Sequence, residues 1–197
     1  WARITGFGAP VYEPQIINQT GGWCHFFART SANNGNLIAM NFNPSHVFTY
    51  TYLDASADTI ANYSATSDRV EWSTDCWLFV AYHKQLGGPG LDGIWLTRSL
   101  DHGQTWSAAT QLQFAGSGFP DLSYGHNRYL WESYIYNNGS AINIASRRST
   151  DEGVTWQGSV TVMTDASAKT TPKIAGSHST QNNAWIVWGR QYTGAPH

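Results

Sequence analysis

The chain has 197 residues, of which 41% are hydrophobic, 14% aromatic and only 12% charged, and its formal net charge at pH 7 is −2. Its ten Trp, ten Tyr and eight Phe exclude a disordered chain, which would be poor in aromatic residues. No apolar run approaches the roughly 18 residues that a membrane span requires, and the three lysines, Lys84, Lys169 and Lys173, form no basic stretch for nucleic acid.

The predicted elements, in chain order, are short strands grouped into units of roughly 50 residues. A single outer strand is predicted over 1–10, because the strand and proline after Trp1 repeat the pattern that follows Trp106 and Trp156. Complete four-stranded units are predicted over 11–57, 66–115 and 118–165, and the inner strands of a further unit over 170–197. The polar, acidic stretch 54–68 is interpreted as a long loop between two units, with cation binding as the alternative.

A tryptophan repeat supports this division. Trp23, Trp77, Trp131 and Trp185 recur at intervals of 54 residues, and each opens an apolar, strand-like stretch. A shorter strand is predicted upstream of each one, over 14–17, 69–72, 120–123 and 172–175. No segment has a sustained helical period. We therefore predict an all-β β-propeller of four-stranded antiparallel blades, with about four blades' worth of chain, as part of a larger or assembled propeller.

Two segments match position for position and lie 50 residues apart. The shared pattern Ser-x-Asp-x-Gly-x-Thr-Trp is formed by Ser99, Asp101, Gly103, Thr105 and Trp106, and again by Ser149, Asp151, Gly153, Thr155 and Trp156. An aspartate that accepts backbone hydrogen bonds, followed by a glycine with positive φ, is typical of a tight turn. The pattern resembles the Asp-box, the repeat of sialidases and of many other secreted β-propellers. The resemblance implies a propeller of six or more blades, often directed at glycans, with a structural turn between the third and fourth strands.

The resemblance also indicates where a ligand would bind. In a propeller, the loops that enter the first strand and those that join the second and third strands form one end, which we call the loop face. The charged and aromatic residues predicted there are Glu13, Arg29, Arg69, His83, Lys84, Asp92, Asp121, Lys173, Arg190 and Tyr192.

A sialidase needs three arginines for a carboxylate, a Tyr nucleophile with a Glu partner, and an acid. The weak candidates are Arg29, Arg69 and Arg190 for the arginines, Glu132 and Tyr134 for the pair, since residues two apart share a strand face, and Asp121 for the acid. The family's Arg-Ile-Pro signature is absent. Its nearest analogue, Tyr12-Glu13-Pro14, has an acidic residue where the signature has its arginine.

Other residues are candidates for binding alone. Trp72, Trp95 and Trp188 break the repeat, so the shared architecture explains them less readily, and exposed aromatic rings stack on sugars. Glu13, His83 and Tyr192 complete the predicted binding set, while packing in the core or exposure as ordinary surface is the alternative for each.

Motifs for other chemistries are missing. The chain has no Gly-x-Ser-x-Gly, phosphate loop or His-Glu-x-x-His, and no His pair with ligand spacing, so we predict neither a cofactor nor a metal site. Cys24 and Cys76 are as compatible with a disulfide as with two free thiols.

These observations favour an extracellular propeller with a non-catalytic glycan-binding, protein-binding or structural role. The alternative is a glycoside hydrolase of sialidase type with part of its active site outside this chain. A glycan or glycoprotein is the expected ligand, nucleic acid is not expected, and unpaired blade edges predict self-association or further chain.

Overall fold

The computed structural model of the protein describes residues 10–30, 36–54, 56, 58–68, 77–85, 92–113, 116–165 and 169–190. Within these residues the regular structure is β-strand, with two single 3-10 turns at Thr20–Gly22 and His126–Arg128 and no α-helix. No helix in the described part of the chain is long and apolar enough to cross a membrane.

The strands form three four-stranded sheets and one pair, each antiparallel and paired in chain order. The first blade contains β1 (Val11–Asn18), β2 (Cys24–Thr30), β3 (Leu37–Phe42) and β4 (Phe48–Asp54). The second contains β5 (Thr59–Ser67), β6 (Leu78–Gln85), β7 (Gly93–Ser99) and β8 (Thr110–Gln113). The third contains β9 (Ser117–Tyr124), β10 (Leu130–Asn137), β11 (Ile142–Ser149) and β12 (Val160–Asp165). The fourth blade contributes β13 (Lys173–Gly176) and β14 (Ala184–Val187). The prediction of an all-β fold with four-stranded antiparallel blades is confirmed.

The second blade begins earlier than the sequence suggested. The interpretation of 54–68 as a loop is wrong, because Thr59–Ser67 is the inner strand β5, and this blade starts at Thr59 and not at 66. Two of its hydroxyl residues, Ser64 and Thr66, accept hydrogen bonds from the backbone of the next blade. The strand predicted over 69–72 lies outside the described residues.

Hydrogen bonds from backbone N–H groups to side-chain oxygens join the inner strands of successive blades. Each inner strand is an edge strand of its sheet, so some of its backbone N–H groups need acceptors from elsewhere. Side chains of the preceding inner strand supply them. The five pairs are Ala65 N with Gln15 Oε1 (2.9 Å), Leu122 N with Ser64 Oγ (3.0 Å), Tyr124 N with Thr66 Oγ1 (3.4 Å), Ile174 N with Asp121 Oδ2 (2.8 Å) and Gly176 N with Ser123 Oγ (2.9 Å). We call this set the inner-strand ladder.

The two Ser-x-Asp-x-Gly-x-Thr-Trp segments lie between the third and fourth strands of blades two and three, and the aspartate of each accepts the same hydrogen bonds. Asp101 Oδ1 accepts from Ser99 Oγ (2.8 Å) and from Thr105 N (2.9 Å), while Oδ2 accepts from Thr105 Oγ1 (2.6 Å). The corresponding distances around Asp151 are 2.7, 2.8 and 2.6 Å. The turn is therefore built by local contacts within one segment.

Each of these turns also packs against the preceding blade. A Cβ at Gly103 would collide with the Asn41 amide of β3, 2.8 Å from its Cγ, and one at Gly153 would lie 2.9 Å from a Leu96 methyl carbon of β7. Trp106 packs edge-on against Phe27, with ring centroids 6.1 Å apart. The turns thus form part of the core between neighbouring blades.

The repeated tryptophans lie at the start of the second strand, at the end opposite the loop face. Trp23 stacks on His102 of the next blade with ring centroids 4.4 Å apart. Gly176 of the fourth blade approaches Trp131 so closely that a Cβ there would lie 2.8 Å from the ring. Trp185, in the last described strand, is 61% exposed. Cys24, beside Trp23, is a free thiol, and Cys76 lies outside the described residues.

The turn aspartates make stability depend on pH. Hydrogen bonds from Thr155 and Ser149 lower the pKa of Asp151 to about 2, below the value expected in the unfolded chain. A lowered folded-state pKa stabilises the fold above the unfolded pKa, and this stabilisation disappears as the pH falls from about 4 to about 2. We expect the free energy of unfolding to decline over that window, and Asp151→Asn to weaken the decline.

Urea unfolding at a series of pH values, followed by Trp fluorescence, measures this dependence. Thr155→Val is the matched control, because it retains the carboxyl group but removes one hydrogen bond, and so should move the decline towards pH 4. Identical pH profiles for the wild type and Asp151→Asn would contradict the assignment.

Candidate functional site

The loop face lies where β1, β5, β9 and β13 begin and where the second strands end. Tyr12 pairs with Arg29, and Ile60 with Lys84, so the start of each inner strand lies beside the end of the second strand. Of the residues predicted there, the structure places Glu13, Arg29, His83, Lys84, Asp92, Asp121 and Lys173 at this end of the strands. They form three groups, and in each group a cation or an imidazole lies beside a carboxylate.

Two inner strands begin with a strained bulge. Glu13 (φ 52°) and Phe119 (φ 56°) adopt the left-handed conformation, which is uncommon outside glycine. Each precedes a proline, and the strand register shifts at both places. Bulges of this kind redirect a side chain and are frequent beside functional sites. The Phe119 residue is 43% exposed and the Glu13 side chain 54% exposed.

Glu13 and Arg29 form the first group. The two carboxylate oxygens of Glu13 accept from Arg29 Nη2 (2.8 Å) and Nε (3.0 Å), which is a bidentate pair. Arg29 Nη1 donates to the carbonyl oxygen of Ile60 (2.7 Å) in the next blade. The guanidinium that was predicted to hold a ligand carboxylate is therefore paired with a carboxylate of the chain itself.

The second group surrounds His83 and Lys84 at the end of β6. Lys84 Nζ lies 3.1 Å from a carboxylate oxygen of Asp54 and 3.1 Å from one of Asp58. His83 Nε2 lies 3.8 Å from Asp92 Oδ2, and its ring centroid is 5.9 Å from that of Phe119. Burial lowers the pKa of His83 against the opposing effect of Asp92, so the imidazole is neutral at pH 7.

Asp121 forms the third group and connects three blades. Its Oδ1 accepts from Lys173 Nζ (2.8 Å) and Ser64 Oγ (3.2 Å), and its Oδ2 from the Ile174 backbone N–H (2.8 Å). Asp121 is only 7% exposed. These contacts make Asp121 part of the inner-strand ladder and do not favour the predicted role of a catalytic acid.

Glu132 and Tyr134 share a face of β10, as their spacing predicted, but this face lies between blades. Glu132 has no exposed surface, and its Oε2 is 2.6 Å from Arg147 Nε. Tyr134 Oη forms a hydrogen bond with Ser159 Oγ (2.6 Å), and Arg147 lies over its ring at 5.4 Å. The predicted nucleophile pair is therefore placed in the core, where a substrate does not reach Glu132.

The remaining candidates are not brought into these groups. Trp95 is half-buried beneath Lys84, whose Nζ is 5.3 Å from the ring centroid. Trp188 is half-buried after β14, and Arg190 is exposed and forms a β-bridge with Lys169. Arg69, Trp72 and Tyr192 lie outside the described residues. In the described part of the chain, no cluster of three or more His, Cys, Asp or Glu side chains is placed to hold a metal ion.

Phe119 was not among the residues predicted from sequence to bind a ligand. A signal was present, because Phe119-Pro120 repeats Glu13-Pro14 at the start of an inner strand. Its left-handed backbone was not apparent from sequence, since Phe has no intrinsic preference for that conformation.

Comparisons with known proteins establish the fold. No family model matches the chain, and a search of curated proteins found no match. Among solved structures, the Hadza microbial sialidase Hz136 matches with a TM-score of 0.58 at 14% identity, over 82% of this chain and 39% of that one. A Penicillium chrysogenum alpha-L-arabinanase complexed with arabinobiose matches with a TM-score of 0.60 at 10% identity, over 90% of this chain and 58% of that one.

The likeness to these two structures, together with the four-stranded antiparallel sheets, shows that the chain has the β-propeller fold. The chain spans 39% and 58% of the lengths of the two structures it matches.

Proposed function

We propose that this chain is part of a secreted Asp-box β-propeller that binds a glycan on the loop face, beside Phe119, without hydrolysing it. The observation that carries the proposal is the exposed Phe119 ring, which a bulge with left-handed backbone holds beside the His83 ring at a centroid distance of 5.9 Å. An apolar ring with a few polar groups around it suits a sugar, which has an apolar face and hydroxyl edges. That the two structural neighbours are a sialidase and an arabinanase supports a saccharide ligand.

The placement of the candidate catalytic residues supports a binding role. Glu132 is buried against Arg147, Asp121 is engaged by three donors, and Arg29 is engaged by Glu13. The second candidate function is glycoside hydrolysis of the sialidase type, with part of the active site outside this chain. It is favoured by the similarity to a sialidase and an arabinanase, of which the chain spans 39% and 58%.

We also propose that further strands cover β14, from a second copy or from additional chain. Trp185 and Val187 of this strand are 61% and 65% exposed, and among the described residues β14 is an edge of a two-stranded sheet. Exposed apolar edges of this kind favour pairing. Native mass spectrometry distinguishes the sources, since a particle of twice 21.8 kDa indicates a second copy. A stable monomer of this chain would contradict self-association.

Phe119→Ala is expected to weaken glycan binding by roughly 3-fold to 10-fold. Full burial of a Phe side chain is worth about 1.5–3 kcal/mol, and the 43% of Phe119 that is exposed is the part that a ligand covers. A glycan array identifies the ligand, and isothermal titration calorimetry measures its affinity for each variant.

Phe48→Ala is the matched control, because Phe48 is 50% exposed but lies at the opposite end of its blade, at the start of β4. Equal affinities for the wild type and Phe119→Ala would contradict the site. Release of product from a bound glycan by the wild type would contradict the non-catalytic role.

A further inference from the structure

We propose that Glu13 determines specificity on the loop face by occupying Arg29, and so restricts binding to uncharged glycans. This inference rests on the proposed glycan-binding function and deepens it by naming the class of ligand. A sugar that carries a carboxylate, such as a sialic or uronic acid, is bound best by a free guanidinium that donates two parallel hydrogen bonds. Arg29 is a loop-face arginine within the described residues, and Glu13 already makes those two bonds to it at 2.8 and 3.0 Å.

The backbone helps to keep Glu13 in place. Its left-handed conformation within the bulge sets the direction of the side chain, and the residue directly follows Tyr12, which pairs with Arg29 on β2. Arg29 is also fixed, because Nη1 donates to the Ile60 carbonyl oxygen at 2.7 Å. The Arg29 side chain is 20% exposed, so the pair lies at the surface, where a ligand carboxylate would compete directly with Glu13.

The lysines of the loop face are paired as well. Lys84 lies between Asp54 and Asp58 at 3.1 Å from each, and Lys173 lies 2.8 Å from Asp121. Lys169 of the fourth blade donates to the carbonyl oxygen of Ile142. Lys84 and Lys173 are therefore matched by carboxylates of the chain, and Asp92 adds a further negative charge beside His83.

Competition then favours neutral ligands. A tethered carboxylate acts at an effective concentration of millimolar or more, so a ligand carboxylate must displace it before it gains the same two bonds. The surrounding acids add repulsion, which a neutral sugar does not experience. A neutral sugar stacks on the exposed Phe119 ring without any rearrangement of the Glu13–Arg29 pair.

The test compares two probes on the whole chain by titration calorimetry and by NMR of the arginine side chains. The neutral probe is arabinobiose, within a panel of neutral oligosaccharides, and the charged probe is N-acetylneuraminate. We expect the wild type to bind a neutral probe and to show no perturbation of Arg29 by N-acetylneuraminate. We expect Glu13→Gln to raise the affinity for N-acetylneuraminate at least tenfold and to shift the Arg29 resonances on binding.

Asp58→Asn is the matched control. It also removes one negative charge from the loop face, but the ion pairs between Lys84 and Asp54 and between Arg29 and Glu13 remain. If Glu13→Gln raises the affinity for N-acetylneuraminate and Asp58→Asn does not, the result supports a specific competition between Glu13 and the ligand for Arg29. An equal gain in both variants would show a general charge effect and overturn the role of Glu13.

The remaining outcomes separate this inference from the proposed function. Binding of N-acetylneuraminate by the wild type, or no gain in Glu13→Gln, overturns the inference, whether or not neutral glycans bind. If the wild type binds no neutral oligosaccharide but Glu13→Gln gains affinity for N-acetylneuraminate, the proposed glycan-binding function and the selectivity for neutral glycans are both overturned. The competition between Glu13 and a ligand carboxylate for Arg29 is then still supported.

Discussion

Replacing Glu132 with alanine is expected to lower the free energy of unfolding by about 3–5 kcal/mol. Glu132 is fully buried, and its partner Arg147 is 8% exposed, so the variant leaves a guanidinium without its counter-charge in the core. Arg147 Nη1 also donates to the Leu112 carbonyl oxygen of the second blade at 2.7 Å, so the damage extends across two blades. A loss of this size is a large part of the roughly 5–15 kcal/mol that stabilises a typical domain.

A double variant keeps this prediction testable if the single variant does not fold. Within the described residues, Glu132 Oε1 and Arg147 Nη2 have no hydrogen-bond partner, so the pair is incompletely satisfied. Replacing both residues by apolar ones, Glu132→Leu with Arg147→Met, should therefore recover most of the stability. Urea unfolding followed by Trp fluorescence measures each variant. A loss below about 1 kcal/mol for Glu132→Ala, or a double variant less stable than the single one, would contradict the buried pair.

Gly103→Ala is expected to lower the free energy of unfolding by about 2–5 kcal/mol. Gly103 has φ 73°, where an alanine costs about 1–2 kcal/mol, and the new Cβ would collide with the side-chain amide of Asn41. Asn41 is unable to move freely, because its Oδ1 is 2.8 Å from His25 Nδ1 and its Nδ2 donates to the Gly103 carbonyl oxygen at 2.5 Å. Overpacking of this kind adds about 1–3 kcal/mol.

Gly139→Ala separates strain from collision. Gly139 has φ 88°, but a Cβ at this position would meet no atom of the described residues within 4 Å, so alanine there costs only the conformational strain. Thermal and urea unfolding of both variants give the difference, which we attribute to the contact between the turn and the preceding blade. Equal losses at the two glycines would show that the turn does not pack on β3.

The turns were predictable from sequence because their hydrogen bonds are local. The Asp101 carboxylate bonds to residues two and four positions away, so the pattern of residue types specifies the turn by itself. The tryptophan interval was informative for a similar reason, since every blade places its second strand at the same point of the repeat.

The features that were not predicted from sequence depend on contacts between blades. The strand β5 is unusually polar for a strand, and its Ser64 and Thr66 hydroxyl groups are explained by the N–H groups of β9 that they bind. Glu132 and Tyr134 were correctly placed on one face, but no local pattern shows that Arg147 and the second blade cover that face. Sequence thus located candidate residues along the strands more reliably than it located them relative to solvent.

Amide hydrogen exchange in the inner strands tests most directly how the blades are joined. Successive blades are connected by the inner-strand ladder, in which Ser64 accepts a hydrogen bond from the Leu122 N–H and Thr66 accepts one from the Tyr124 N–H. We predict that both amides exchange slowly in the wild type. Ser64→Ala should accelerate the Leu122 amide by about fivefold to tenfold and leave Tyr124 unchanged, because one such bond is worth about 1 kcal/mol. Rapid exchange of both amides in the wild type would contradict the arrangement of blades.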